Sequence, residues 1–130
     1  MIKNYLLTLF GILALTAVQG QTSPPQSFRY QAVVRNVDGE ALPNQAIGFQ
    51  MSLYQGACAG TGTVQYQETF TATTNKYGLV NLSIGLGSVV SGQFNQIDWS
   101  QGPYFIESSI DITGASNYTY ISCNELLSVP

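Results

Sequence analysis

The sequence has no histidine and little charge of either sign. Of 130 residues, four are Lys or Arg and seven are Asp or Glu. Charged residues make up 8% of the chain, against about 25% in an average soluble domain. Without histidine, Ser-His-Asp and Cys-His nucleophile systems and most zinc sites are unavailable. Beyond residue 20 the cations are Arg29, Arg35 and Lys76. Three scattered cations cannot neutralise a phosphate track, which excludes nucleic-acid binding. Beyond the N-terminus there is no long hydrophobic run, hence no membrane span. Amphipathic helices are also missing. More than a third of residues 21–130 are Ser, Thr, Asn or Gln. The apolar content, 45% of the chain, is too high for disorder. One domain of ordinary size fits this length.

What is present begins with a leader pattern. Lys3 supplies one positive charge, Tyr5 to Val18 is mostly apolar, and Val18-Gln19-Gly20 suits a cleavage site. Residues 1–20 therefore read as a secretory signal peptide, and the protein is expected to be secreted or on the outer cell surface. A membrane anchor fits less well, because the run falls short of the roughly 20 residues a span needs. Residues 21–26 read as a flexible lead-in, and 27–130 as the folded domain.

That domain alternates with period 2, the pattern of strands covered on one side. Phe28, Tyr30, Ala32 and Val34 alternate with Arg29, Gln31, Val33 and Arg35 over residues 27–37. Ile47, Phe49, Met51 and Leu53 alternate with Gly48, Gln50, Ser52 and Tyr54. Residues 63–73 set Val64, Tyr66, Phe70 and Ala72 on one face, with Glu68 interrupting that row as at an edge or strand end. Val80, Leu82 and Ile84 alternate with Asn81 and Ser83. Residues 86–102 lose period 2, and the spacing of Phe94 and Ile97 predicts one short helical turn near residues 93–98, with Trp99 beside it. Tyr104, Ile106, Ile110 and Ile112 share a face of the next strand, and the last spans 118–129 with Ile121 and Cys123 on one face. Turns fall at Asn36-Val-Asp-Gly39, Pro43-Asn44 and Asn75-Lys-Tyr-Gly78. Six or seven short strands with such turns predict an all-β fold, a Greek-key immunoglobulin-like or transthyretin-like β-sandwich, with a barrel second.

Chemistry is sparse. Asp38 and Glu40 sit in a turn, where Asp is common for backbone reasons, and nothing places two carboxylates across a cleft. No catalytic, cofactor-binding or metal-binding residue is assigned, and no enzyme activity or cofactor is expected. Gly85-Leu-Gly87 and Gly92 lack the spacing and the Lys of a phosphate loop. Asn81-Leu-Ser83 and Asn117-Tyr-Thr119 match the glycosylation tripeptide, which matters only in a eukaryotic secretory route. Cys58 and Cys123 admit one disulfide in an exported chain, with two free thiols as the alternative. Eight Tyr, six Phe and one Trp raise a second reading, a carbohydrate-binding face that stacks sugars on Tyr54, Tyr77, Trp99 and Tyr104. The simpler reading makes these aromatics core or half-buried strand residues.

Five separated segments then add up to a resemblance. They are Phe28-Arg-Tyr-Gln-Ala-Val-Val-Arg-Asn-Val-Asp-Gly-Glu40, Thr73-Thr-Asn-Lys-Tyr-Gly-Leu-Val-Asn-Leu-Ser-Ile-Gly85, Ile97-Asp-Trp99, Gly102-Pro-Tyr-Phe105 and Leu126-Leu-Ser-Val-Pro130. Together they resemble the N-terminal module of exported Gram-negative bacterial proteins that use type IX secretion. In such proteins a signal peptide precedes the module, and tail-fibre-like, collagen-like or other repeat domains follow. Val37–Pro43 and Thr74–Val80 are also similar to transthyretin-like and carboxypeptidase-regulatory-like sandwiches. The resemblance implies a structural or adhesion module, with no catalytic residues to carry over. Its partners would be other protein domains, first among them downstream domains of the same polypeptide, and surface glycans second. Positions 58 and 123 are more often small polar residues in that family, so a disulfide would be peculiar to this chain. The apolar Leu126–Pro130 leads to the expectation that the chain continues into further sequence.

Overall fold

The computed structural model describes residues 26–130; the leader and most of the lead-in read from the sequence lie outside them. Seven strands and two short 3-10 turns make up the fold. The strands are β1 Phe28–Val33, β2 Ala46–Gln55, β3 Thr63–Thr73, β4 Leu79–Ile84, β5 Ser88–Gly92, β6 Tyr104–Asp111 and β7 Thr119–Glu125. The 3-10 turns are Phe94–Gln96 and Trp99–Gln101. Each strand pairs antiparallel with its neighbours. A five-stranded sheet runs β5-β3-β2-β6-β7, and a two-stranded sheet, β1-β4, completes a sandwich-like arrangement. The expected all-β sandwich is the observed fold.

Period 2 explains the core. The alternating faces of β2 and β4 bury Ile47, Phe49, Met51, Leu53, Val80, Leu82 and Ile84. Phe94 and Ile97 close over this layer, as their spacing predicts, and Trp99 packs against it. Phe28, Phe94, Trp99 and Tyr104 stack edge-on or tilted, with ring centroids 5.0–6.4 Å apart, the geometry that aromatic quadrupoles favour.

Five expectations need correction. Val64 does not share the apolar face of Tyr66: a register shift pairs Leu53 with Tyr66 and Tyr54 with Val64, and Val64 is 45% exposed. Residues 86–102 contain a strand, β5, whose five residues are all exposed; an edge strand facing water on both sides has no period-2 signature. The first strand ends at Val33, because Arg35 pairs with Ala41 across a tight turn. The last strand ends at Glu125, and it does not keep Ile121 and Cys123 in simple alternation. A register shift pairs Ser108 with Ser122 and Ser109 with Tyr120, leaving Ile121 as the extra residue of a β-bulge. Glu68 lies inside β3 rather than at an edge or end, and is fully buried.

Two turns share one construction. Asn36 Oδ1 accepts from the amides of Asp38 and Glu40, and Asn75 Oδ1 accepts from those of Tyr77 and Leu79. Three residues after each Asn stands a glycine at positive φ, Gly39 at 83° and Gly78 at 79°. The Asx side chain replaces the backbone acceptors that the turn removes.

Candidate interaction surface

Three of the seven side-chain carboxylates, Glu68, Asp98 and Asp111, are taken up by the fold. Glu68 has its two carboxylate oxygens pointed at the loop between β4 and β5. Oε1 accepts from the Gly85 amide at 2.7 Å, and Oε2 from the Gly87 amide at 2.6 Å and the Tyr66 hydroxyl at 2.9 Å. Burial pushes the Tyr66 phenol up, and its hydrogen bond to Glu68 adds to the rise. Asp111 accepts from the Thr113 hydroxyl and amide and from the Asn117 amide, and these bonds hold its carboxyl below the usual range. Asp98 accepts from the hydroxyl and amide of Ser100 and caps the second 3-10 turn; the same bonds hold its carboxyl below the usual carboxylate range. Each of these acids therefore serves as a loop cap. Among the described residues no three Asp, Glu or Cys side chains converge as metal ligands would.

The four candidate stacking aromatics do not form a common face. Tyr104 is 2% exposed, and its hydroxyl donates to the Asp98 carbonyl. A buried ring offers no face to a sugar, so Tyr104 is a core residue. Trp99 is half-buried between Phe28, Phe94 and Tyr104, and its indole N–H has no partner among the described residues. Tyr54 is half-buried near the end of β2. Tyr77 is 66% exposed beneath the Lys76 ammonium. Tyr77 follows Thr73, which pairs with Ala46 at the far end of β2 from Tyr54. The rise of a strand puts Tyr54 about 26 Å from Ala46, so the two tyrosines stand at opposite ends of β2.

Cys58 and Cys123 are brought together, with their sulfurs 2.05 Å apart. The bond ties the β2–β3 loop to β7 across 65 residues of sequence. Closing a loop of that size contributes about 4 kcal/mol on the chain-entropy account.

A feature that period 2 does not reveal is an open side of the sandwich. The small sheet has two strands and the large one five. β4 lies on the β3 side, where Gly85 meets Glu68. β1 lies on the β6–β7 side, and between them runs a groove. One stretch of it, about 260 Å³, is lined by Tyr30, Val33 and Arg35 of the β1 side and by Ser108, Ile110 and Ile121 opposite. A second, about 360 Å³, continues past Arg35 and Val37 to Ile112 and Thr119. At the other end of β1, Phe28 and Arg29 face Leu126 and Val129 across a separate hollow. Ile121 is 53% exposed and Ile112 42%. The bulge is what turns Ile121 toward this groove, and nothing in a single-strand pattern marks a bulge.

The groove's β1 wall is an unpaired strand edge. Hydrogen-bonded and non-bonded pairs alternate along an antiparallel ladder. Val34 donates to Gly78 on the β4 side. By that alternation Phe28, Tyr30 and Ala32 bond toward β4, while the N–H and C=O of Arg29, Gln31 and Val33 point into the open side. Among the described residues β1 pairs with no strand but β4.

Among known proteins, a family described only as a domain of unknown function, DUF8740, matches residues 29–122, from β1 into β7. Neither a curated protein nor a solved structure matches the chain.

Proposed function

The chain belongs to the DUF8740 family, and on that premise we propose that it is a non-catalytic structural module of a secreted or cell-surface bacterial protein. Its work is to pack against other protein domains, downstream domains of the same polypeptide first among them. The observation that carries this reading is the open side of the sandwich, an apolar floor beside an unpaired strand edge. Isolated apolar residues on a surface are ordinary, whereas a continuous strip beside free backbone groups is the chemistry of a protein contact. The leader-like residues 1–20 and the resemblance to exported modules supply the compartment. The carboxylates support the non-catalytic part, since Glu68, Asp98 and Asp111 each spend their acceptors on loop amides. The glycan reading loses ground because Tyr104 is interior and Tyr54 and Tyr77 stand at opposite ends of β2.

Photocrosslinking in the producing cell tests this. A photoreactive residue at Ile121 should give adducts to polypeptide, and one at Asn81, exposed on β4, should give few. Adducts confined to glycan, or equal yields at both positions, would overturn the packing role. Protein retained in the cytoplasm would overturn the compartment.

A further inference from the structure

Resting on that reading, we propose that the β1 edge takes up an extended peptide strand whose outward residues are acidic and whose inward residues are aliphatic. The strand would become the third of the small sheet, hydrogen-bonded to Arg29, Gln31 and Val33 and lying over Ile110 and Ile121. Main-chain bonds would supply affinity and the alternating side chains specificity, as in other strand additions.

The register fixes the chemistry of the guest. On β1 the residues whose amides face the open edge are those whose side chains point outward, the odd-numbered ones from Arg29 to Arg35. In a hydrogen-bonded antiparallel pair the facing residues share a face. The guest's outward residues are thus the ones that bond to β1, and they stand beside Arg29 and Arg35. These are two of the three cations among residues 26–130, in a chain with seven carboxylates, and among the described residues neither meets a carboxylate. Arg29 and Arg35 are six residues apart, about 20 Å along a strand. A guest with acids six residues apart matches both. Its inward residues meet Ile110 and Ile121, where Val and Ile fit.

A second copy of this chain fits poorly. Two β1 strands paired antiparallel at full overlap set Arg29 opposite the partner's Arg35, and like charges facing each other across a ladder repel.

The probe is the peptide acetyl-Glu-Val-Thr-Ile-Thr-Val-Glu-amide, titrated into residues 21–130 and followed by NMR. Saturable binding is expected, with slowed amide exchange at Arg29, Gln31 and Val33. N-methylation of the two Thr residues should abolish binding, and N-methylation of the Ile should preserve it. Arg29→Glu with Arg35→Glu should weaken affinity at least tenfold, and so should Ile121→Glu, with the unfolding midpoint of both variants retained. No saturation by 1 mM peptide, protection at β5 or β7 instead of β1, indifference to N-methylation, or dimerisation without peptide would each overturn the proposal. The crosslinking experiment separates the two readings: polypeptide adducts at Ile121 without peptide binding would keep the packing module and discard the strand guest.

Discussion

The five-stranded sheet is sealed over β2 and β3 and open over β7 and the end of β6. On the sealed side, β4 and the turn at Phe94 close over Ile47, Phe49, Met51 and Tyr66, each at most 2% exposed. On the open side, Ile112 and Ile121 remain accessible and Ile110 is only partly covered. Both sides carry the same kind of aliphatic residue on the same sheet. The difference is the number of strands above them. Aliphatic residues under β4 are buried in the core, whereas Ile112 and Ile121 beyond β1 keep a water-facing side, which is what the proposed contact would cover.

The largest test of this contrast is a matched pair of truncations. Ile47→Ala removes a fully buried side chain, for which such substitutions cost roughly 2–5 kcal/mol. Ile121→Ala removes the same atoms from a half-exposed position and should stay within about 0.5 kcal/mol. Urea unfolding of both variants reads the comparison directly. Equal losses would show that the open side is part of the folding core and would remove the reason to assign it a contact.

Strands whose inner face is buried were legible residue by residue, because burial on one side imposes period 2 on β2 and β4. What sequence reading missed lies where a second element changes the rule. Gly48 sits on the polar side of β2, yet it is buried because the Ala115 carbonyl would lie 2.2 Å from any added Cβ; only the folded β6–β7 loop makes glycine necessary there. β5 faces water on both sides and so shows no alternation. The bulge at Ile121 inserts one residue without a composition signal. Glu68 looked like an interruption because carboxylates rarely face a core. Its partners are backbone amides of a loop 17–19 residues away, and a pattern of side chains does not report those. The groove belongs to the same class, since it depends on which strands end up in which sheet.

Glu68 offers the next test. It belongs to the sealed side, where its acceptors hold the loop that leads from β4 to β5. Glu68→Gln keeps the shape but turns one acceptor into a donor, which faces the amide of Gly85 or Gly87. A buried donor left without an acceptor costs about 1–3 kcal/mol. Glu125→Gln, on the exposed β7, should cost less than about 0.5 kcal/mol. Amide exchange localises the effect: Gly85 and Gly87 should exchange faster in Glu68→Gln, with the β6–β7 loop unchanged. Acceleration in both loops alike would mean that Glu68 supports the whole fold rather than the closure of one side.

The smallest expected effect distinguishes the twin turns. Gly78 belongs to the turn that carries the chain from β3 to β4, and so to the sealed side. Gly39 belongs to the turn after β1, beside Val37 and the open groove. Both need positive φ, so alanine at either strains the backbone by about 1 kcal/mol. The surroundings differ. A Cβ at Gly39 meets nothing within 4 Å, whereas one at Gly78 meets the Ala41 Cβ at 3.0 Å and the Leu42 amide and Val34 carbonyl at 3.2 Å. Because the strain is common to both, the difference between the variants isolates packing, and Gly78→Ala should be the worse by about 1 kcal/mol. Thermal unfolding of the two variants measures that difference. Equal destabilisation would mean that the chain beside Gly78 yields as readily as open solvent, and the sealed side would then be looser at its β3–β4 end than its buried strands imply.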